Sequence, residues 1–272
     1  MSTIATRGSR AALGLLLLAT VATLCVARAE AQVNPLWDHY KAYFLSPPLP
    51  PPPTVSIVTL RDQFGESVHQ VLVLEQFANP VEKIHDPAPP YPINDPILHY
   101  AWWQIDPQTS TSLQVAAVNQ FGDHTLDVFN AHYLWNPAVK NQPGPPPLRN
   151  HYKCYDCQGP PVNATVGMVD QFGPWQAQVT VPRLFCNPVE KTLGPPGSGG
   201  QVYPILDPNQ HYVCYEYLPE DPTPRTASMT DQFLTEATLV LQPSRLLCVP
   251  TYKSGVTSST KDTWGRLKLL YR

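Results

Sequence analysis

One stretch of the chain, residues 151–191, decides the fold and reads HYKCYDCQGPPVNATVGMVDQFGPWQAQVTVPRLFCNPVEK. Two runs rich in β-branched and aliphatic residues, 165–169 and 176–181, flank the sequence Asp-Gln-Phe-Gly at 170–173. Such runs favour strands. Asp and Gly favour a tight turn between them, because Asp bonds to its own backbone and Gly accepts a positive φ. The stretch therefore predicts a β-hairpin, with an earlier strand that begins at His-Tyr and a later strand that contains Asn-Pro.

The same unit occurs four times, and its turns are 51 to 61 residues apart. Each copy has His-Tyr, an aromatic residue three positions after that Tyr, then Asp- or Asn-Gln-Phe, and later a Pro followed three positions on by Lys. Four matches in the same order indicate an internal repeat. The repeated histidines are His39, His99, His151 and His211, the first turn residues are Asp62, Asn119, Asp170 and Asp231, and the phenylalanines are Phe64, Phe121, Phe172 and Phe233.

The repeat predicts four modules, at 37–86, 97–142, 149–193 and 209–254, joined by Pro- or Gly-rich spacers and followed by a C-terminal tail at 255–272. Three or four strands in about 45 residues bury too little surface to be stable alone, so we expect neighbouring modules to pack together. The predicted fold is mainly β, with four degenerate modules that each contain a β-hairpin and pack as small β-sandwich or barrel-like units.

Four of the cysteines fall into two columns of the repeat that change together. Both columns are Cys in modules 3 and 4, Ala in module 1 and Trp in module 2. Residues that change in pairs indicate contact, so the predicted disulfides are Cys154–Cys186 and Cys214–Cys248, each closing a loop of roughly 33–35 residues. Free buried thiols are the alternative. Cys157 is left over, either as a free thiol or as the partner of a cysteine outside the chain.

The first 31 residues predict a secretory signal peptide. Arg7 and Arg10 precede an apolar run at 11–26, and small residues at Ala29 and Ala31 form a cleavage site. The run is shorter than the ~20 residues that span a bilayer, and we expect no membrane span after cleavage. The predicted location is secreted, periplasmic or at the cell surface. The net charge of −3 gives no footprint for nucleic acid.

The sequence gives only weak signals for a catalytic or metal-binding site. Cys154 and Cys157 have redox or half-zinc spacing but stand in a predicted strand, whereas a redox site needs a helix N-terminus. The repeated histidines could bind a metal, and the repeated aspartates could act as acids or bases. Catalysis, however, needs one asymmetric site with two roles, and Asn119 caps a turn without ionising. These positions therefore favour structural roles, and we expect no enzyme, no cofactor and no metal site.

The motifs at 151–155, 169–173 and 184–191 resemble a repeated module of secreted bacterial proteins, a family of unknown function. The resemblance implies a bacterial envelope or extracellular setting and supplies no catalytic residues. The expected role is structural or binding, with a glycan or an extracellular protein as the partner. The alternative is an extracellular enzyme with an active site between modules, which a cleft of unrepeated titratable residues would favour.

Overall fold

The computed structural model describes residues 34–54, 56–107, 112–221 and 224–258. The predicted signal peptide at 1–31 and the tail from residue 259 onward lie outside the described residues, so both remain predictions. Within the described ranges the chain forms strands, turns and loops and no helix, so no helix there could cross a membrane. The mainly β fold is confirmed.

Each module contributes two shorter strands and one long strand, and β10 lies in the spacer before module 4. The strands are β1 His39–Leu49, β2 Ile57–Asp62, β3 Gly65–Ile84, β4 His99–Ile105, β5 Leu113–Asn119, β6 Gly122–Lys140, β7 His151–Gln158, β8 Ala164–Asp170, β9 Gly173–Leu193, β10 Val202–Tyr203, β11 His211–Asp221, β12 Arg225–Thr230 and β13 Ala237–Ser258. The first part of each long strand pairs with the preceding strand in a hairpin. The strand then continues beyond the hairpin, and these long strands are β3, β6, β9 and β13.

Eight of these strands form a closed ring. The strand that begins each module pairs antiparallel with the long strand of its own module and with the long strand of the preceding one. The order is β1–β3–β4–β6–β7–β9–β11–β13, and β13 pairs back onto β1. The modules therefore do not form separate sandwich or barrel-like units, because their strands join one 13-stranded sheet.

The hairpins connect modules that are opposite in the ring. Strand β2 pairs with the end of β9, and β8 pairs with the end of β3, which ties module 1 to module 3. In the same way β5 pairs with β13 and β12 pairs with β6, which ties module 2 to module 4. The outer strand of each hairpin thus pairs with the long strand of the opposite module.

Side chains from equivalent positions of the four modules fill the inside of the ring, and each set of equivalent positions forms one layer. The four repeated tyrosines form a square of edge-to-face rings whose neighbouring centroids are 5.0 to 5.8 Å apart, an arrangement that aromatic quadrupoles favour. These are Tyr40, Tyr100, Tyr152 and Tyr212. The next layer holds the columns that change in pairs: Trp102 stacks on Trp135 at 4.2 Å, and Ala42 lies opposite Ala78.

The remaining two pairs of that layer are the disulfides Cys154–Cys186 and Cys214–Cys248, as the columns predict. Each disulfide joins residues that are directly opposite in neighbouring strands. Cys157 is a free, buried thiol on the other face of β7, and burial raises its pKa. A thiol with a raised pKa is a poor nucleophile.

Replacing Cys154 and Cys186 together by Ala is expected to lower the free energy of unfolding by about 2–5 kcal/mol, because the unfolded chain gains the freedom of the opened loop. Urea unfolding of the oxidised protein measures the change. Cys157→Ala is the matched control, with an expected loss of about 1 kcal/mol. Equal losses in the two variants would mean that the disulfide adds nothing beyond its packing.

Candidate functional site

The repeated polar residues meet in four equivalent clusters between the ring and the hairpins, and each cluster draws on three modules. We name each cluster by its turn residue. In the Asp170 cluster, Tyr43 Oη donates to Asp170 Oδ2 at 2.7 Å, and Asn79 Nδ2 lies 3.4 Å from the same oxygen. Asp170 Oδ1 accepts the backbone N–H of Phe172 at 2.9 Å. The carboxylate thus caps its own turn and binds module 1.

The neighbouring module completes this cluster with a lysine and a histidine. Lys140 Nζ donates to Asn79 Oδ1 at 3.1 Å and lies 4.2 Å from the centre of the Phe172 ring. Gln171 Nε2 lies 3.1 Å from His99 Nε2. One hydrogen bond and a cation–π contact therefore stabilise the ammonium group of Lys140, which is almost fully buried.

The other three clusters repeat this plan with small changes. The partners of the turn residue are Tyr155 for Asp62, Trp103 for Asp231 and Tyr215 for Asn119. The lysine lies 4.8 to 5.0 Å from the turn phenylalanine in each, as Lys253 over Phe64, Lys191 over Phe233 and Lys83 over Phe121. Asn119 fills the aspartate position, where its Oδ1 accepts the N–H of Phe121 at 2.9 Å.

The four histidines lie in four different clusters and do not converge. Among the described residues no group of His, Cys, Asp and Glu could hold a metal ion. Burial lowers the pKa of all four histidines, to about 3 for His39 and His99 and to about 4 for His211. Each ring is therefore neutral at neutral pH.

The repeat conserves a phenylalanine at each turn, which by itself favours packing of that ring against its own module, and the structure contradicts this expectation. Phe172 instead meets the ring of Tyr43 edge-to-face at 5.3 Å, and Phe64 meets Tyr155 at 5.1 Å. Both partners belong to the opposite module. The reason is that each hairpin reaches across the ring end, where the aromatic residue of the opposite module lies beneath it.

The Asp231 cluster departs from the other three in its turn. Modules 1 to 3 have two-residue turns closed by a glycine with positive φ, Gly65, Gly122 or Gly173. In module 4, β12 ends at Thr230 and β13 begins at Ala237. The longer connection places Glu236 at a φ of 51° and bonds its N–H to Thr230 Oγ1 at 2.9 Å.

A cavity of about 540 Å³ lies beside this wider turn. Its walls come from the proline-rich spacer at 144–149, from Tyr203 and from the turn itself, including Thr235 and Glu236. His151 and Gln232 also line the cavity, and they bond to each other at 2.8 Å. The buried atoms His151 Nδ1 and Gln232 Nε2 have no hydrogen-bond partner among the described residues, so each could bond to a ligand.

Both carboxylate oxygens of Asp231 accept hydrogen bonds from other groups of the protein. Its Oδ2 accepts hydrogen bonds from Trp103 Nε1 at 2.8 Å and Asn136 Nδ2 at 3.1 Å, and its Oδ1 accepts two backbone N–H groups. Burial raises the pKa of Asp231, and these hydrogen bonds oppose that effect. Burial lowers the pKa of Lys191, which donates to Asn136 Oδ1 at 2.6 Å and to Gln232 Oε1.

Tyr203 has a structural counterpart at Tyr91, which lies in the equivalent place beside the Asn119 cluster. The Tyr203 ring is 5.1 Å from His151 and 5.2 Å from Lys191 Nζ. The Tyr91 ring is 5.3 Å from His39 and 4.9 Å from Lys83 Nζ. Sequence reasoning missed both, although the repeated Tyr-Pro-Ile at 91–93 and 203–205 could have revealed them.

The comparisons with known proteins agree with a repeat of unknown role. No curated protein and no solved structure matches the chain. A family model described as a repeat of unknown function (DUF7450) matches residues 99–250, from the start of β4 into β13. Because the match covers more than half of the 272 residues, the chain belongs to this family of repeats of unknown function, DUF7450.

Proposed function

We propose that the protein is a binding protein of the cell envelope or the extracellular space, and that the cavity beside the Asp231 turn takes a saccharide. The predicted signal peptide supports this location, as do the two disulfides, since disulfides persist in oxidising compartments. The resemblance described above favours a bacterial source. The observation that carries the proposal is the cavity at the one turn that departs from the repeat.

The chemistry of the cavity suits a sugar. Tyr203 and the prolines supply apolar surface for the C–H faces of a pyranose ring, as apolar walls do in most ligand sites. Gln232 Nε2 offers a donor that has no acceptor in the described part of the chain, and the exposed Thr235 and Glu236 offer a hydroxyl and a carboxylate. An uncharged polyhydroxyl ligand can satisfy these groups without bringing a buried charge.

Tyr203→Ala is expected to weaken saccharide binding at least about tenfold, which corresponds to the loss of about 1.4 kcal/mol of ring contact. The measurement is a glycan and cell-wall array on the mature protein, followed by titration of the best ligand. Tyr91→Ala is the matched control, because it removes the same ring beside a two-residue turn. It should leave the affinity unchanged.

Two results would contradict the proposal. One is that no saccharide on the array binds the mature protein. The other is that Tyr203→Ala and Tyr91→Ala weaken binding equally, which would place the ligand elsewhere. Circular dichroism of both variants checks that each retains its sheet.

A further inference from the structure

Module 1 carries a histidine where the other modules carry an apolar residue. His69 on β3 pairs with Val58 of its hairpin and has only 1% of its surface exposed. The equivalent residues of modules 2, 3 and 4 are Leu126, Ala177 and Leu239, all buried. A polar ring in an apolar column is unfavourable unless its nitrogens are bonded, so the partners of His69 are informative.

Both nitrogens of His69 have partners in a Ser–His–Asp order. Ser67 lies two residues earlier on the same face of the strand, and its Oγ is 2.9 Å from His69 Nε2. His69 Nδ1 is 3.1 Å from the carbonyl oxygen of Asp106 and 3.3 Å from its Oδ1. Two acceptors at Nδ1 hold the proton there and leave Nε2 free to accept the serine proton.

Asp106 is held in place by the backbone of β3, the strand that carries Ser67 and His69. Its Oδ1 accepts the N–H of Gln70 at 2.7 Å, and its own N–H donates to the carbonyl of Gln70 at 3.0 Å. The Asp106 side chain is 43% exposed and Ser67 is half-buried. The group therefore reaches from the core to the surface of the protein.

Module 3 adds a positive charge at the serine. Lys153 Nζ donates to Ser67 Oγ at 2.5 Å, although Lys153 is itself almost fully buried. A cation beside the attacking oxygen can stabilise the negative charge that develops on a carbonyl oxygen during acyl transfer. Burial and Lys153 lower the pKa of His69, and Asp106 opposes them, so the imidazole is a neutral base at neutral pH.

We propose that Ser67, His69 and Asp106 form a nucleophilic site that hydrolyses carboxylic esters, with Lys153 as the electrostatic stabiliser. The site goes beyond the binding function proposed for the Asp231 cavity, and no part of it lines that cavity. Ser67, His69 and Asp106 come from modules 1 and 2, and these residue types are not repeated at the equivalent positions of the other modules. Unrepeated titratable residues drawn from two modules are one of the features that favour the enzyme alternative of the sequence analysis.

The reaction proceeds in two steps. Ser67 Oγ attacks the ester carbonyl carbon while its proton moves to His69 Nε2, and the ester C–O bond then breaks as the alcohol leaves with that proton. Water next attacks the acyl-serine and gives a proton to Nε2, and Ser67 Oγ leaves and takes this proton back. The products are one carboxylic acid and one alcohol. Asp106 is a positioning residue that holds the ring and its tautomer.

An alkyl fluorophosphonate tests the site on the full mature protein, because attack by Ser67 forms an O–P bond and releases fluoride. We expect one phosphonyl group per chain by intact mass, mapped to Ser67 by peptide analysis. Ser67→Ala should remove the label. Ser228→Ala, at a half-buried serine on the first hairpin strand of module 4, should keep it.

His69→Leu separates catalysis from folding, because module 2 has Leu126 in the same column. The variant should keep the melting temperature of the wild type yet label at least about 100-fold more slowly, the usual contribution of a general base. Asp106→Asn should shift the pH profile of p-nitrophenyl acetate hydrolysis. A folded wild type that is not labelled, a label on another residue, or labelling of His69→Leu at the wild-type rate would each overturn the proposal.

Discussion

A chain that consists of module 3 alone, residues 149–193, is expected to remain unfolded even with its Cys154–Cys186 disulfide intact. In the full protein, β7 also pairs with β6 of module 2, and β9 pairs with β11 and β2 of modules 4 and 1. The Asp170 cluster loses Tyr43, Asn79 and Lys140 together. Removing these partners exposes most of the apolar surface that a module of this size could bury, and the disulfide contributes only roughly 3–4 kcal/mol.

The measurement is the dispersion of amide signals in an NMR spectrum of the excised module, with the full mature chain as the reference. A mixture of residues 34–142 and 145–258 provides a second test. Together these halves contain all four clusters, so we expect the mixture to regain β structure that neither half has alone. A well-dispersed spectrum of the single module would show that the pairing across the ring is not needed for folding.

Acid is expected to unfold the protein between about pH 6.5 and pH 4, because the four repeated histidines, and His69 with them, must take up protons on unfolding. Their folded pKa values lie below the ordinary 6.5, so the unfolded chain binds the protons more tightly. Above pH 6.5 the histidines therefore do not reduce the free energy of unfolding. Below pH 6.5 this free energy falls as the pH approaches the folded pKa values. Each histidine contributes about 1.4 kcal/mol per pH unit, or about 5 kcal/mol for the four.

The buried Lys140 and the half-buried Lys253 act in the same direction at higher pH. Burial lowers the pKa of Lys140 and Lys253 to about 8, so stability also rises as pH increases from about 8 toward 10.5. Urea unfolding at pH 7, 5.5 and 4.5 measures the acid limb. His99→Gln is expected to reduce its slope by one proton, because glutamine keeps a polar group and does not titrate. A free energy of unfolding that is constant over this range would contradict the expectation.

The sequence could predict the contacts within a module but not those between modules. Cys154 and Cys186 change together with the equivalent Trp and Ala pairs, and paired change points to direct neighbours in the sheet. Phe172 offers no such signal, because all four copies carry the same phenylalanine and an aromatic partner. Four near-identical units do not say which copy meets which, so the contact of Phe172 with Tyr43 across the ring required the structure.

The two candidate sites were hidden for different reasons. The cavity follows from an extra residue in the module 4 turn, which appears in the sequence only as a lost glycine at Leu234 and a shift of one position at Val249. Ser67 and His69 are two residues apart on one strand, and alternation places them on the same face. Asp106 is 37 positions away from His69, and only the pairing of β4 beside β3 brings it to the ring nitrogen.

The pairing of β13 with β1 has a consequence for the order of events in biosynthesis. Tyr40 emerges early, but its partner Cys248 is made roughly two hundred residues later. Contacts so distant in the chain make folding slow, and until the last strand arrives, β1 presents an open edge to other chains. The nascent polypeptide therefore cannot close the ring until nearly the end of translation, and a chain that terminates before β13 is expected to leave β1 unpaired on one side.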